Sequence, residues 1–384
     1  MQATSKISSI WKQAEATTGY TTGVSLHSHT SMSEESLIFI QSMGMELPGV
    51  KKLYTHYERV CREKFGLTLD FESAHWRPPL MPRVAYDLEA KQIEDLGLRA
   101  MVSISDHDNI EAPMLLRTVP QARAIPVSVE WSAPFGRTCF HMGIHNLPSA
   151  DGRAWMERMQ ALTAKPNDEA TLAALQELHA IPQVLIVFNH PMWDLYSIGR
   201  EGHRAEMMRF LAQAGESIHA LELNGLRHAR ENREVLDLAR ETGHLLISGG
   251  DRHGMEPNAN INLTNATNFN DFVHEIRVER RSHVLFMHQY AQPWKLRILR
   301  STLDAVSDFP EFTAGWQRWD ERSFHKDAQG VMRPMSELWN DGKAPKLLAL
   351  GIQVVRMARN ATVARSIGMV FPGENDFRAN YEVL

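Results

Sequence analysis

Along the chain, short β-branched or apolar runs alternate with longer stretches in which apolar residues recur every three or four positions. The short runs are Gly23–Leu26, Ala100–Ile104, Ile125–Val129, Thr138–Ile144, Val184–Phe188, Ile218–Leu223, Leu245–Ser248 and His283–Phe286, and each has the length of a strand. The periodic stretches are Asp87–Leu96, Glu111–Val119, Arg153–Thr163, Glu169–Leu178, His203–Ala214, Ala229–Thr242 and Asp271–Arg280, and they predict helices between the strands. Such alternation argues for an α/β protein with parallel strands. Seven or eight repeats within about 270 residues favour a barrel over an open sheet, because barrels gather polar residues at the C-terminal ends of several strands.

Two stretches break the pattern. Residues 36–82 have their own aromatics and a proline-rich exit at Arg77–Pro82, which predicts an insertion after the first strand that overhangs the strand ends. Residues 290–384 carry Trp294, Trp316, Trp319 and Trp339 and read as a mainly helical extension packed on a main body of residues 1–289.

The 384 residues are 43% apolar and 23% charged with a formal net charge of -5, which excludes disorder, collagen and coiled coil as whole-chain readings. No basic run marks a phosphate-backbone footprint, so nucleic acid beyond a nucleotide end is not the expected partner. Two cysteines, Cys61 and Cys139, make no disulfide framework. The N-terminal residues lack the apolar core of a secretory signal, and no apolar stretch has the length of a membrane span, so a cytoplasmic protein is expected. Histidine is the anomaly, at 18 residues.

The histidines fall after strands. His27 and His29 stand two apart, where strand periodicity turns both imidazoles to one face, though a core and a surface histidine would look the same. Asp106, His107 and Asp108 follow a second run; a carboxylate there could ligate, orient the histidine or start the next helix. Glu130 ends an apolar strand, where a carboxylate is costly to bury without a cation or a hydrogen-bonded partner. His141 and His145 share a face by parity, and one of them suffices as a ligand. Val184–Phe188 runs into Asn189, His190 and Pro191, and proline stops the ladder with His190 at its tip. Asp251 and His253 repeat the two-residue spacing after Gly249 and Gly250, which allow close backbone approach. Five strands delivering histidine at or near their ends, several with a carboxylate alongside, predict a multinuclear site for first-row cations such as Zn, Mn or Fe.

In this order, HxH, SDHD, a strand-ending Glu, FH, NHP and GDxH, the motifs of Val24–Gly254 resemble those of the PHP family, the polymerase and histidinol phosphatase domain. The resemblance implies a distorted (βα)7-type barrel and a trinuclear centre. It implies one metal on His27, His29, Glu130 and Asp251. A second would share Glu130 and add His141 and His190. A third would take His107, His253 and Glu34, a glutamate where the family usually has Asp or His. The activity implied is hydrolysis of a small phosphate monoester or a nucleotide end by a metal-bridging hydroxide. Asp251 would orient the nucleophile and His253 would protonate the leaving oxygen, while Arg227, His228 and Arg252 are the candidate phosphate contacts. Competing readings are an amidohydrolase-like enzyme cleaving a C–N bond, a non-catalytic metal-dependent binding module, and a nuclease or polymerase-associated editor, the last disfavoured by the acidic charge balance.

Overall fold

In the computed structural model the strands form three sheets. The structure describes residues 4–37 apart from 14, 55–63 apart from 57, 68–312 apart from 69 and 72, 316–339, 342–357 and 381–383. Parts of the predicted insertion (residues 38–54) and extension (358–380) lie outside the described residues.

In chain order the strands are β1 (Thr4–Ser9), β2 (Thr22–Ser25), β3 (Glu35–Ser36), β4 (His75–Trp76), β5 (Arg99–Val102), β6 (Val127–Phe135), β7 (Thr138–Leu147), β8 (Leu185–Phe188), β9 (Ala220–Asn224), β10 (Leu245–Gly249), β11 (Asn260–Thr264), β12 (Arg281–Phe286), β13 (Ser323–Lys326), β14 (Met332–Pro334) and β15 (Tyr381–Val383). The first sheet runs β15-β1-β12-β11-β2-β5, the second β10-β9-β8-β7-β6, and the third β14-β13-β4-β3. β1 with β12, β2 with β5, β8 with β9, and β9 with β10 are parallel pairs. β7 and β11 run antiparallel to both of their neighbours.

The expected closed (βα)7-type barrel is therefore not what forms. At one seam the amides of β10 meet side chains instead of a neighbouring strand. Leu246 N donates to Ser5 Oγ at 2.9 Å and Ser248 N to Asn262 Oδ1 at 2.9 Å, while Ser282 Oγ donates to Leu246 O at 2.6 Å. At the other seam no ladder joins β5 to β6 among the described residues: past β5, Ser103 Oγ donates to Ser128 Oγ at 2.9 Å and His107 makes an isolated bridge to Glu130. Buried backbone groups need partners, and here polar side chains supply them, so the two large sheets face each other without becoming one ring. The described part of the extension holds helices Trp294–Ala305 and Lys346–Met357, and three short strands besides: β13 pairs with β14 and with β4 of the insertion, and β15 pairs with β1.

The sequence explains the layers. Val24 and Leu26 on one sheet pack against Leu185, Val187, Leu245 and Ile247 on the other, filling the space between them. Outside the second sheet pack helices α1 (Gly152–Ala164), α2 (Asp168–His179), α3 (Arg200–Ala214) and α4 (Ala229–Thr242). There Phe140 meets Phe188 with ring centroids at 5.1 Å and Phe210 at 4.9 Å, each ring burial contributing about 2 to 3 kcal/mol. α4 ends at Gly243 with φ 71°, a left-handed cap that glycine adopts without a Cβ clash. Among the described residues no helix is long and apolar enough to cross a membrane, and Cys61 and Cys139 are free thiols.

Candidate metal centre

The ends of β2, β8, β9 and β10 converge on one edge of the molecule, together with the middle of β6, and the small third sheet covers that edge with β3. His27 and His29 lie just beyond β2, His107 beyond β5, His190 beyond β8, and Asp251 and His253 beyond β10. Three of these residues sit on left-handed backbone, with φ 61° at His27, 26° at His190 and 57° at Asp251. Non-glycine residues hold such angles only where the surroundings impose them, and such positions cluster at functional sites.

Glu130 is the hub. β6 runs on to Phe135, so Glu130 lies within the strand and not at its end, and it is fully buried. Its Oε2 stands 2.9 Å from His27 Nε2, 3.3 Å from His29 Nε2 and 3.1 Å from His107 Nε2. Its Oε1 is 3.1 Å from His190 Nε2 and 3.4 Å from His141 Nδ1, and it accepts from Asn189 Nδ2 at 2.9 Å. Asp251 Oδ1 lies 3.5 Å from His27 Nε2 and 3.4 Å from His29 Nε2. A cation about 2.1 Å from each ligand sets neighbouring donors roughly 3.0 to 3.4 Å apart, so these spacings have the size of coordination edges.

Four overlapping groups could hold a metal ion: His29 with Glu35, His107 and His253; His27 with His29 and Glu130; His27 with His190 and Asp251; and His107 with Glu130 and His141. His27 Nε2, His29 Nε2, Glu130 Oε2 and His141 Nδ1 are buried without hydrogen-bond partners. An orphaned buried acceptor is costly, and several aimed at one place fit a bound cation.

The electrostatics agree. Burial alone would raise the carboxyl of Glu130, but His27, His107 and His141 outweigh it and hold the group well below the usual carboxylate range. Burial likewise opposes ionisation of Asp251 and Glu35, and the surrounding imidazoles again hold both carboxyls low. For His107, burial pushes down but Glu130 and Glu35 prevail and lift it to about 10. His29 is pushed down to about 4, by burial first, with His253 and His107 adding repulsion against Glu35. The site concentrates negative charge in a largely buried volume, and the imidazolium protons occupy positions where cations would compete with them.

The group of His29, Glu35, His107 and His253 corrects one expected ligand. Glu34 points away from the cluster, with its side chain 50% exposed and accepting from Arg77 Nη2 at 2.6 Å. Glu35 is the buried acid, 2.9 Å from His253 Nε2, 3.2 Å from His107 Nε2 and 3.3 Å from His29 Nδ1. Strand alternation is the reason: Glu35 pairs with Trp76 across β3 and β4, and adjacent residues on a strand face opposite sides. His145, four residues along β7 from His141, is too far along the strand to join, and its Nδ1 meets Ser103 Oγ at 2.8 Å.

The three candidate phosphate contacts separate. Arg252 is buried, with Nε on Glu89 at 2.9 Å, Nη2 on His29 O at 2.7 Å and Nη1 on Gly254 O at 3.0 Å, so it faces the interior and not a substrate. Its backbone bridges Ser28, and alternation turns it away from Asp251 and His253. His228 caps α4, its Nδ1 accepting from Arg230 N at 2.9 Å, and its ring rests against Trp294. Arg227 does reach the cluster: Nη2 is 3.7 Å from Asp251 Oδ2 and the guanidinium lies 3.2 Å over the Trp193 ring. Asp108, open between structural and ligating roles, accepts from Ser132 N at 2.9 Å, and Asp106 from Thr30 Oγ1 at 2.7 Å.

Sequence reasoning missed Glu35, Glu222 and the contact made by Asn189. Asn224, at the end of β9, holds Asp251 Oδ2 through its Nδ2 at 3.3 Å. Glu222 carried the signal already used for Glu130, a lone acid in an apolar strand.

No family model matches the chain, and no curated protein matches it. Among solved structures it is similar to a provisionally assigned metal-dependent phosphoesterase from Bifidobacterium adolescentis, at 17% identity and TM-score 0.30 over 52% of this chain and 91% of that one. It is also similar to PsfC from Pseudomonas syringae, at 14% identity and TM-score 0.38 over 58% of this chain and 87% of that one. Likenesses this loose bear on neither fold nor function.

Proposed function

We propose that this chain is a metal-dependent phosphoesterase acting on a phosphate monoester or a nucleotide end, in the manner of the PHP domains its motifs resemble. The observation that carries the reading is the convergence of buried atoms without hydrogen-bond partners, His27 Nε2, His29 Nε2, Glu130 Oε2 and His141 Nδ1, beside the carboxylates of Asp251 and Glu35. His27, His29, Glu130 and Asp251 would hold one cation, Glu130, His141 and His190 a second, and Glu35, His107 and His253 a third. Divalent first-row ions bound there would supply Lewis acidity toward phosphoryl oxygens and lower the pKa of water.

The chain's own groups do the rest. His107, His141 and His253 keep side-chain exposures of 13%, 14% and 13%, whereas His27 and His29 are closed off, so substrate enters along the former three. Arg227 Nε has no hydrogen-bond partner, and the guanidinium is backed by Trp193, which suits it to a phosphoryl oxygen arriving beside Asp251. Asp251 Oδ2, oriented by Asn224, is placed to accept the proton of an incoming water. His253 donates from Nδ1 to the carbonyl of Asp251, two residues before it, at 2.8 Å and turns Nε2 to Glu35, so we assign it to holding the centre and not to protonating the leaving oxygen.

The test is a phosphate-release screen over monoesters, diesters and nucleotides, run on protein loaded with Zn, Mn or Fe. Release from at least one class, abolished in His190→Ala and Asp251→Ala that retain the native circular dichroism, supports the reading. A metal-loaded protein that releases phosphate from none of them contradicts it.

A further inference from the structure

We propose that Glu222 is the positioning residue that sets two metal-binding histidines from different parts of the centre, His27 and His190; the inference rests on the metal-holding reading above. Glu222 lies on β9 and is fully buried. Its Oε1 is 2.7 Å from His27 Nδ1, and its Oε2 accepts the backbone N–H of His190 at 2.7 Å.

Each contact answers a requirement. His27 can offer a lone pair from Nε2 toward Glu130 and Asp251 only if its proton sits on Nδ1, and a carboxylate at Nδ1 selects that tautomer. His190 must hold φ 26° to turn its ring inward after β8, and the bond from its N–H ties that turn to a neighbouring strand. The fold reserves space for this carboxylate. Gly249 stands on β10, next to β9, and a Cβ there would come within 1.7 Å of Glu222 Oε1.

Counting donors and acceptors makes the role testable. The His27 Nδ1–H, the His190 N–H and the Asn224 Nδ2–H, which reaches Glu222 Oε1 at 3.3 Å, are all donors, and a carboxylate accepts all three. A glutamine of the same shape has one acceptor oxygen and would turn its amide NH2 on at least one of them. Glu222→Gln, nearly isosteric and neutral, is thus expected to behave like Glu222→Ala, which a packing role would not produce.

The experiment measures zinc affinity by chelator competition in the full chain, for the parent, Glu222→Gln, Glu222→Ala, Gly249→Ala, His27→Gln and the Glu222→Gln/His27→Gln double variant. Cobalt(II) absorption spectra report the ligand field in the same proteins, and circular dichroism reports folding. Loss of an orienting partner typically weakens metal binding about 10- to 100-fold. That loss is expected in Glu222→Gln with a changed cobalt spectrum, and in the double variant no further loss beyond His27→Gln alone. Gly249→Ala reaches the same carboxylate by displacement and carries the test if Glu222→Gln does not fold. Affinity and spectrum unchanged in Glu222→Gln, or losses that simply add in the double variant, overturn the inference while the metal reading stands. A parent protein that binds no zinc overturns both.

Discussion

Replacing Arg252 with alanine separates a structural arginine from a substrate-binding one. Arg252 is 4% exposed and Glu89 is fully buried, so the substitution strands a carboxylate inside the protein with only Ser25 Oγ at 2.9 Å and the Asn258 amide at 3.2 Å as partners. Breaking a buried pair in this way costs about 3 to 5 kcal/mol. The carbonyls of His29 and Gly254 lose their donor at the same time. Burial already raises the Glu89 carboxyl against the pull of Arg252; without the arginine it rises further and protonates, which keeps the loss within that range. Globular proteins unfold with an entropy of about 2.1 cal/mol/K per residue, or ~0.8 kcal/mol/K for the 384 residues here, so the melting temperature should fall by ~4 to 6 °C. Differential scanning calorimetry measures it. Replacing both partners by apolar residues, Glu89→Leu with Arg252→Met, should recover much of the loss, giving a coupling above about 2 kcal/mol. A melting temperature within ~1 °C of the parent, with KM for the phosphate ester raised, would refute the buried-pair assignment and return Arg252 to the substrate.

Three further outcomes are expected. Glu35→Gln should lower metal content at saturation by one ion per chain while Glu34→Gln leaves it unchanged, as read by elemental analysis; equal effects would contradict the strand register of β3. Phe140→Ala, deep between Phe188 and Phe210, should cost about 3 to 5 kcal/mol in urea denaturation, and a loss below ~1 kcal/mol would mean the aromatic cluster repacks. His219 is pushed down to about 2, by burial first and then by Arg277 and its histidine neighbours, so it stays neutral when folded and protonates near 6.5 when unfolded. Its contribution is complete above pH 6.5 and falls by about 1.4 kcal/mol per pH unit below it, so His219→Gln should shrink the stability difference between pH 7 and pH 4.5 by about 2 to 3 kcal/mol; an unchanged difference would contradict the burial argument.

Helices were the most legible part of the sequence, because a buried stripe repeats over several turns; α4 occupies the predicted span of Ala229–Thr242. β1 and β11 were not foreseen. Their residues, TSKISS and NINLT, carry few apolar side chains, and the buried Ser5, Asn260 and Asn262 satisfy neighbouring backbone instead of forming an apolar face. Those polar strands occupy the seam where a barrel would close, which is why the alternation elsewhere predicted a closure that does not occur. At the site, histidines after apolar runs were legible because a strand must deliver them somewhere. Glu35 was not, because its role depends on a partner distant in sequence, Trp76 across β4; Glu222 showed as a lone acid in an apolar strand, but its partners His27 and His190 are distant in sequence.

The most direct test of the centre is anomalous X-ray diffraction at the zinc, manganese and iron edges from crystals grown with those ions supplied. The account predicts at least two peaks within ligand distance of Glu130, one shared with Asp251 and one with His190. Crystals in which Glu130, His27, His190 and Asp251 keep their positions but no peak lies among them would contradict it.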